Sequence, residues 1–513
     1  MAKPACAYEL PDYALRVLDV IESAGHEAWV VGGWVRDAVR GAAPHDVDVC
    51  CDAHWEEVDR LFRSAGIEVH RTGVEHGTVT VVIGGRPVEV TTYRVESGYS
   101  DLRHPDSVEF VDDVRRDLAR RDLTINAMAY HPQRGLLDPF DGAGDLERGI
   151  IRAVGDPRRR FGEDALRVLR AVRFACRMGF SVEEGTAAAL DACAPELAHI
   201  ARERVGSELD GIVATGRLGW AMREHPRVLC SAIPELGAMV GFEQRSPYHC
   251  YDVYEHTMHV VCATEELSGG CASQRLRWAS LLHDVGKPRS FSLDASGQGH
   301  FFGHPSAGAE MSEAILRGLA LPLDMVRPCV DLVRFHDRPV KATRHSVLRM
   351  LTDLDSRCPG AAVPLAYETL VLKRADALSK ARPYRGYACE VDRIERVLRA
   401  TVAEGAPYRV RDLAVGGADV MDALGGRPGP WVGTALESCL REVVHGRVGN
   451  TREELLGWLV GQRELDEPLD LCHSSSLHNF EIRSCLLLAF AVKYFLAPKP
   501  RQKRSRMFHW DVV

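Results

Sequence analysis

The chain has 513 residues, 46% of them hydrophobic and 27% charged, and its formal net charge is −8. This is the composition of an ordinary soluble protein, and its length predicts about three or four domains. A membrane span is excluded, because the longest apolar run, residues 485–497, is interrupted by Lys493 and is shorter than the roughly 20 residues required. The 15 cysteines are scattered, with no CxxC pair and no preceding secretory signal, which predicts reduced thiols and a cytoplasmic location.

Charge is unevenly distributed along the chain. Residues 115–177 contain 14 Arg, no Lys and 9 Asp or Glu, a local charge of +5 that leaves −13 for the rest. A basic segment in an acidic chain indicates a confined anion site, and the choice of Arg favours bidentate recognition of phosphate or base edges. The alternative, a solvated helix face, explains any single Arg well and the whole cluster less well.

The N-terminal elements alternate between helices and strands. Apolar periodicity and Gly-rich turns predict a helix over 12–24, a strand over 28–31, a helix over 34–40, a strand over 47–51, a helix over 55–64, and a hairpin of 78–83 with 88–93. From residue 145 the pattern is almost entirely helical, with an amphipathic helix over 164–177 as its clearest case. The predicted fold class is α+β, a small mixed α/β head followed by an all-α neck and body and by further all-α domains.

Composition shifts divide the chain into five parts. These are a head (1–144), a helical neck and body (145–242), a His-rich helical domain (243–385), a helical tail (386–465) and a C-terminal extension (466–513). The extension is Ser-rich, then apolar, then basic, and it has no assigned function.

A glycine turn and two aspartates form the first candidate site. Gly32-Gly33 lies at a strand–turn–helix junction, where backbone N–H groups can approach a phosphate. Asp46 and Asp48 stand at i and i+2 on the predicted strand, so their carboxylates share one face, which is unfavourable without a cation between them. Oxygen ligands favour Mg²⁺, and two such ions can activate a 3′-hydroxyl and stabilise leaving pyrophosphate. Glu89 is a candidate third carboxylate; the alternative is a polar edge strand.

Several motifs in order carry a resemblance to a known family. They are Gly32-Gly33-Trp34-Val35-Arg36-Asp37, Pro44-His45-Asp46-Val47-Asp48, Arg120 to Ala127, Asp138-Pro139-Phe140-Asp141-Gly142, and Arg160 to Arg170 with Arg173-Phe174. Over roughly residues 10–240 they resemble the bacterial class II CCA-adding enzymes and poly(A) polymerases, whose head is related to DNA polymerase β.

The resemblance implies roles for the basic residues of these motifs. Gly32, Gly33 and Arg36 are expected to hold the nucleotide triphosphate with Arg121 nearby, and Arg170 and Arg173 are expected to assist with nucleotide or primer phosphates. Cys50-Cys51 departs from the family, which usually has smaller or hydroxyl residues there. The two thiols predict an oxidation-sensitive head.

Asp164 and Arg167 are candidates for choosing the nucleotide. They lie three residues apart on the predicted helix, so both side chains can face one ligand. Asp accepts and Arg donates, which matches the amino donor and ring-nitrogen acceptor of cytosine and adenine. Uracil and guanine present the reverse pattern, at a cost of about 1–3 kcal/mol per unpaired group. The family resemblance assigns the same role to this motif; the alternative is an ordinary helical ion pair.

Two features favour CCA addition over poly(A) addition. Residues 99–105 resemble the flexible segment that full CCA-adding enzymes need for the change from C to A, and poly(A) polymerases tend to have Pro where Ala165 stands. The predicted function is tRNA CCA nucleotidyl transfer, with the tRNA 3′ end, CTP and ATP as partners and no membrane or obligate protein partner. A poly(A) polymerase or A-adding enzyme is the nearest alternative. A metal phosphohydrolase with an RNA-binding head and a non-catalytic RNA-binding protein are the others.

A second candidate site lies in the His-rich region. His283-Asp284 ends an apolar helical run, with His256 before it and His304, His336 and Asp376 after it. Imidazoles and carboxylates from separate helices can build an interior metal site. The set resembles the HD-superfamily phosphohydrolases. This implies that His256, His283, Asp284 and Asp376 bind one ion, either a transition metal (Ni²⁺, Mn²⁺ or Co²⁺) or Mg²⁺, and that His304 and His336 support a second. The expected substrates are 2′-phosphates or 2′,3′-cyclic phosphates.

Overall fold

The computed structural model describes residues 8–44, 46–98 and 107–466. The predicted flexible segment 99–105 and the extension beyond residue 466 lie outside the described residues. Within the described ranges, no helix is both long enough and apolar enough to cross a membrane.

The described residues of the head form nine strands and five α-helices. The strands are β1 (Ala28–Val31), β2 (Asp48–Cys51), β3 (Glu68–Gly73), β4 (Thr78–Ile83), β5 (Arg86–Thr92), β6 (Arg94–Ser97), β7 (Ser107–Phe110), β8 (Ala129–His131) and β9 (Gly135–Leu137). The helices are α1 (Asp12–Ser23), α2 (Gly33–Val39), α3 (Trp55–Ser64), α4 (Val114–Ala119) and α5 (Gly142–Arg148). The predicted helices, strands and hairpin of the head are confirmed to within two residues.

A seven-stranded sheet with the order β3-β4-β5-β2-β1-β8-β9 forms the centre of the head. β1 runs antiparallel to β2 and β8, whereas β2 runs parallel to β5. Side chains alternate between the two faces. Val30 and Val49 join the main core with α1 and α3, and Trp29 and Cys50 join a smaller core with α4. The start of β2, where Asp48 lies, is thus held between two neighbouring strands.

Helices make up nearly all of the rest. The body has α6 (Pro157–Glu163), α7 (Leu166–Met178), α8 (Glu184–Cys193), α9 (Arg202–Ala214), α10 (Leu218–Glu224), α11 (Pro226–Ala232) and α12 (Pro234–Gly237), with the short strands β10 (Ile150–Ile151) and β11 (Ser181–Val182). The His-rich region has α13 (Val253–Leu267), α14 (Gln274–Leu282), the hairpin strands β12 (Ser292–Leu293) and β13 (Gly299–His300), α15 (His304–Gly318), α16 (Leu323–Phe335), α17 (Arg344–Arg357) and α18 (Ala362–Ser379). The tail has α19 (Tyr387–Ala403), α20 (Gly417–Leu424), α21 (Pro430–Val444) and α22 (Arg452–Asp466).

The predicted single helix over 164–177 is wrong at its first residues. Asp164 is extended, with φ −142° and ψ 107°, and it separates α6 from α7. Its carboxylate accepts the backbone N–H of Leu166 at 2.9 Å, which satisfies a donor at the start of the new helix. The sequence pattern missed this break because the apolar spacing continues across it.

The predicted oxidation-sensitive head is also wrong. Cys50 and Cys51 are both fully buried in the sheet, with 1% and 0% relative exposure. Burial raises the pKa of Cys51 to about 12 and that of Cys50 well above its ordinary value, so both thiols stay protonated. Since the thiolate is the reactive form, these residues behave as core side chains.

A close backbone approach joins the body to the His-rich domain. A Cβ at Gly206 in α9 would lie 2.0 Å from the carbonyl oxygen of Leu319, which follows α15. Gly206→Ala is therefore expected to lower the free energy of unfolding by about 1–3 kcal/mol, because the backbone there must shift. Gly433→Ala in α21, where nothing lies within 4 Å, is the control and should raise it by about 0.5–1 kcal/mol. Equilibrium urea unfolding measures both, and equal effects would contradict the contact.

Candidate active sites

Two carboxylates are cross-strand neighbours at the start of β2, and a third lies near enough to act on their charge. Asp48 lies opposite Glu89 in the parallel pairing of β2 with β5, and Asp46 lies two residues before the strand begins. The prediction that both aspartates lie on the strand is wrong for Asp46, yet the carboxylates still interact. Burial, then Glu89 and Asp46, raise the pKa of Asp48 to about 6 against the opposing effect of Arg121. The negative charge of these carboxylates is not balanced by Arg121. Such oxygen donors suit a divalent cation of the Mg²⁺ type.

The glycine turn lies directly beside these carboxylates. Gly32 has a φ of 71°, and a Cβ there would lie 3.2 Å from Nη1 of Arg121 and 3.5 Å from Oδ2 of Asp48. The contacts of Arg121 are long, 3.4 Å to the carbonyl oxygen of Asn126 and 3.6 Å to Asp117. A loosely held guanidinium next to Asp48 is suited to a phosphate, which it can bind through two N–H groups.

Arg36, by contrast, is committed to other residues of the protein. It is buried and donates to both oxygens of Asp37, at 2.9 and 3.0 Å, and to Oδ1 of Asn126 at 2.9 Å. Asn126 in turn donates to Asp122, which accepts from Arg170 at 2.9 Å. These residues tie the glycine turn to α7. A direct contact of Arg36 with phosphate stays a prediction.

Three guanidinium groups surround the ring of Phe174. Those of Arg36, Arg170 and Arg173 lie 5.2, 5.8 and 4.9 Å from its centroid. Arg173 also donates to Glu208 of α9 at 2.5 Å. Many arginines of the basic segment 115–177 are similarly paired, including Arg120, Arg148, Arg152 and Arg160. Much of the segment's charge therefore serves internal ion pairs, whereas Arg121, whose contact with Asp117 is long, also lies beside Asp48.

Asp164 and Arg167 occupy the same region with different partners. Asp164 accepts from Arg204 of α9 at 3.2 Å, whereas Arg167 donates to Glu163 at 2.8 Å. Asp164 and Arg167 were expected to lie three residues apart on one helix. Instead, Asp164 lies at the break between α6 and α7, and Arg167 lies in the first turn of α7. Both are largely buried, with 16% and 12% of the side chain exposed, so a base that met them would lose most of its water.

The second site brings together all six residues predicted for it. Oδ2 of Asp284 lies 3.1 Å from Nε2 of His283 and 3.6 Å from Nε2 of His256, and Oδ1 lies 3.5 and 3.7 Å from His304 and His336. Asp376 contacts His256 at 3.1 Å. Two groups, His256 with His283 and Asp284, and Asp284 with His304 and His336, have the spacing of metal-ion ligands.

The orientation of the imidazoles fits metal binding. Nδ1 of His283, His304 and His336 faces the carbonyl oxygens of Ser280, Phe301 and Val333, at 2.8, 2.8 and 2.6 Å. Such a contact fixes the tautomer and leaves Nε2 for an ion. Burial lowers the pKa of His256 and of His304, which favours the neutral form that a metal requires. Burial acts in the same direction on His283, but Asp284 outweighs it and raises the pKa of that imidazole.

Two lysines and a histidine escaped the sequence prediction. Nζ of Lys287 lies 2.7 Å from Asp284, and Nζ of Lys380 lies 2.8 Å from Asp376. Burial opposes ionisation of these two carboxyls, but neighbouring cations outweigh it and hold the pKa of each well below its usual range. The ring of His249 lies 4.9 Å from that of His256. The i,i+3 and i,i+4 spacings Asp284–Lys287 and Asp376–Lys380 were available signals.

Four family models match the chain, in this order. They are the poly A polymerase head domain at residues 28–152, the probable RNA and SrmB-binding site of polymerase A at 179–224, the HD domain at 253–381, and a putative tRNA nucleotidyltransferase domain 2 at 408–459. The last two segments contain the His/Asp cluster and most of the tail, respectively.

Curated relatives decide the family. The CCA-adding enzyme of Limosilactobacillus fermentum is 32% identical over 441 residues, which are 86% of this chain and 94% of that protein. The chain belongs to the CCA-adding enzyme family. The CCA-adding enzyme of Bacillus velezensis is 31% identical over 87% of this chain and 97% of its own length. The structure of the Bacillus stearothermophilus CCA-adding enzyme in complex with CTP matches with a TM-score of 0.61 and 28% identity, covering 90% of this chain and 99% of that one.

Proposed function

We propose that this chain adds C, C and A to the 3′ end of tRNA, using CTP and ATP and no nucleic-acid template. The observation that carries the proposal is the pairing of Asp48 with Glu89, under the electrostatic influence of Asp46, beside the Gly32 turn and Arg121. Negative oxygen ligands and a positive phosphate contact are what nucleotidyl transfer requires on either side of the reacting phosphorus. The family membership adds tRNA, CTP and ATP as the substrates.

Each residue of the head has a proposed task. Asp46 and Asp48, with Glu89, would hold Mg²⁺, which when bound supplies a positive charge to the reacting oxygens. Arg121 and the Gly32–Gly33 backbone bind and orient the triphosphate. Arg36, Arg170 and Arg173 surround Phe174, each of them paired with a carboxylate, and would assist there with a nucleotide or primer phosphate.

The proposal keeps the division of the chain after residues 144, 242, 385 and 465. The first part performs transfer, the second selects the nucleotide and contacts RNA, the third is the HD domain, and the fourth is the helical tail. A cytoplasmic location remains part of the proposal, with all cysteines of the described ranges carrying free thiols.

Primer extension on tRNA transcripts tests the function directly. Transcripts that end before CCA, after C and after CC are offered each nucleoside triphosphate singly and together. Ordered addition of C, C and A that then stops is expected. Long A-tails from ATP alone would instead indicate a poly(A) polymerase, and no incorporation would refute transfer altogether.

Asp164→Ala is expected to relax the choice of nucleotide while transfer continues. Loss of the acceptor removes a contact to the amino group of cytosine or adenine, which costs about 1–3 kcal/mol, or roughly 5–150-fold in discrimination against UTP and GTP. The ratio of kcat/KM for CTP to that for UTP measures this. Asp191→Asn in α8 is the control and should leave the ratio unchanged. An unchanged ratio in Asp164→Ala would show that another group selects the base.

A second activity is proposed for the HD domain, because the six predicted ligands converge there. His256, His283, Asp284 and Asp376 would hold one divalent ion (Ni²⁺, Mn²⁺, Co²⁺ or Mg²⁺), and His304 and His336 would support a second. The ion when bound supplies Lewis acidity and an activated water. The residues of this chain orient a phosphate next to it, with Lys287 and Lys380 as neighbouring cations. The proposed substrates are 2′-phosphates and 2′,3′-cyclic phosphates.

A further inference from the structure

An exposed aromatic ring stands next to the His/Asp cluster. Phe302 is 80% exposed, the largest exposure among the large hydrophobic residues of the described ranges. It precedes Gly303 and His304, the latter being one of the six clustered residues. Exposing a whole phenyl ring costs hydrophobic free energy, so a contact that covers it is favourable.

The ring of Phe302 stacks on the imidazole of His300. The rings of Phe302 and His300 are nearly parallel, with centroids 5.2 Å apart and an interplanar angle of 8°. His300 is itself held by Asp294, which accepts from Nε2 at 2.9 Å. Asp294 also accepts the backbone N–H groups of Ser296 and Gln298, which closes the turn between β12 and β13. One face of Phe302 is therefore backed by a braced hairpin while the ring remains open to solvent.

The hairpin of β12 and β13 also packs against the rest of the domain. Phe291 and Phe301 pack with Phe242, with ring centroids 5.3 to 6.5 Å apart. A Cβ at Gly299 would lie 2.2 Å from the carbonyl oxygen of Gln244, so the strand lies directly on that segment. These contacts preorganise the position of Phe302, which reduces the ordering cost of any ligand that stacks on it.

Phe302 is close to the cluster along the chain. The Cα atoms of Phe302 and His304 are separated by two peptide steps of about 3.8 Å each. The carbonyl oxygen of Phe301 faces His304 Nδ1, and the Phe301 ring lies 5.4 Å from Nζ of Lys287, which contacts Asp284. The segment that carries Phe302 is thus in direct contact with the cluster through Phe301, His304 and Lys287.

We propose that Phe302, backed by His300, is a stacking platform for the nucleobase of an RNA 3′-terminal nucleotide whose 2′-phosphate or 2′,3′-cyclic phosphate lies at the His/Asp cluster. The proposal rests on the hydrolase function proposed above and narrows its substrate class to nucleotides. Stacking accepts every base, because each has a π face, so the platform recognises that a base is present and ignores which base it is.

A fluorescent nucleotide tests the platform by binding. The probe is 2-aminopurine riboside 2′,3′-cyclic phosphate, which lacks the triphosphate that the head is proposed to bind, and it is titrated into the full chain with Mg²⁺. Quenching by stacking is expected with the wild type. Phe302→Ala should raise the apparent Kd about tenfold or more, and Phe302→Trp should restore it. Leu293→Ala, which removes an exposed apolar residue from the same hairpin, is the matched control and should bind like the wild type.

A kinetic comparison separates stacking from chemistry. Phe302→Ala should raise KM for nucleoside 2′,3′-cyclic phosphates and leave kcat nearly unchanged, with no effect on cyclic ethylene phosphate, which carries no base. If the wild type binds the probe but hydrolyses nothing in any ion, the hydrolase function fails and the platform stands. Three results would overturn the platform. The wild type does not bind the probe, Phe302→Ala binds it as tightly as the wild type, or Phe302→Ala sediments differently because Phe302 mediates self-association.

Discussion

Asp48→Asn is expected to slow nucleotide addition by about 10³-fold or more. The substitution removes one negative oxygen ligand from the carboxylate group formed with Asp46 and Glu89, and the charge stabilisation at stake is several kcal/mol. Incorporation of labelled CMP into a tRNA transcript measures the loss. Glu68→Gln on β3 is the matched control, because it changes a carboxylate of the same sheet that is 67% exposed, and it should act like the wild type. Activity of Asp48→Asn within tenfold of the wild type would exclude Asp48 as a ligand.

The same variant should be more stable than the wild type above pH 6 when a chelator is present. The pKa of Asp48 is about 6 in the fold, against an ordinary value of 3.8, because burial, Glu89 and Asp46 disfavour its carboxylate. Below pH 4 Asp48 is protonated, and the free energy of unfolding is not reduced by its charge. As the pH rises through 6, the carboxylate forms in the unfavourable site of the folded protein and the free energy of unfolding falls. Asn does not ionise, so it avoids this loss, which is at most about 3 kcal/mol.

Thermal unfolding at pH 4 and pH 8 in EDTA measures the difference. A higher melting temperature for Asp48→Asn at pH 8 that vanishes at pH 4 is expected. Saturating Mg²⁺ should then stabilise the wild type more than the variant, in which the HD site remains able to bind the ion. The opposite sign at pH 8 would mean that Arg121 outweighs the two acidic neighbours.

Asp284→Asn is expected to abolish hydrolysis by the HD domain and to leave transfer within about twofold of the wild type. Asp284 is 1% exposed and contacts four imidazoles as well as Lys287, so its loss removes the anion common to both groups of candidate ligands. Removing a buried partner of a cation also costs about 3–5 kcal/mol, which should be visible as lower thermal stability. Calorimetric titration with Mn²⁺ reports metal binding independently of activity.

The control for this variant lies on a helix of the same domain. Asp324→Asn changes an exposed carboxylate in the first turn of α16, the helix that ends just before His336. It should keep both metal binding and hydrolysis. Equal metal affinity in Asp284→Asn and the wild type would remove the HD site as a metal centre, and a parallel loss of transfer would show that the variant is misfolded.

Local sequence was sufficient for the first five elements of the head, for the hairpin of β4 with β5, and for both sets of carboxylate and imidazole candidates. It did not predict β3, β6 to β9, α4 or α5. The strand over 28–31 and the helix over 55–64 follow from short-range periodicity, which the neighbouring chain does not alter. The His/Asp set was found because each member stands in a short motif of its own. In the structure these residues converge around Asp284, as the resemblance to HD-superfamily phosphohydrolases implies. Five helices bring them together, because they are spread along the chain from His256 to Asp376.

The partners of charged side chains were decided by the tertiary structure. Asp164 faces Arg204, Arg167 faces Glu163, and Arg170 faces Asp122, none of which follows from helical spacing alone. Cys50 and Cys51 are inert because the sheet buries them, which their adjacency in the chain does not reveal. Sequence determined which groups can carry charge, metal or a phosphate, because that depends on residue type and short spacing. The fold determined which of them are compensated, because an ion pair depends on distance and burial between residues far apart in the chain.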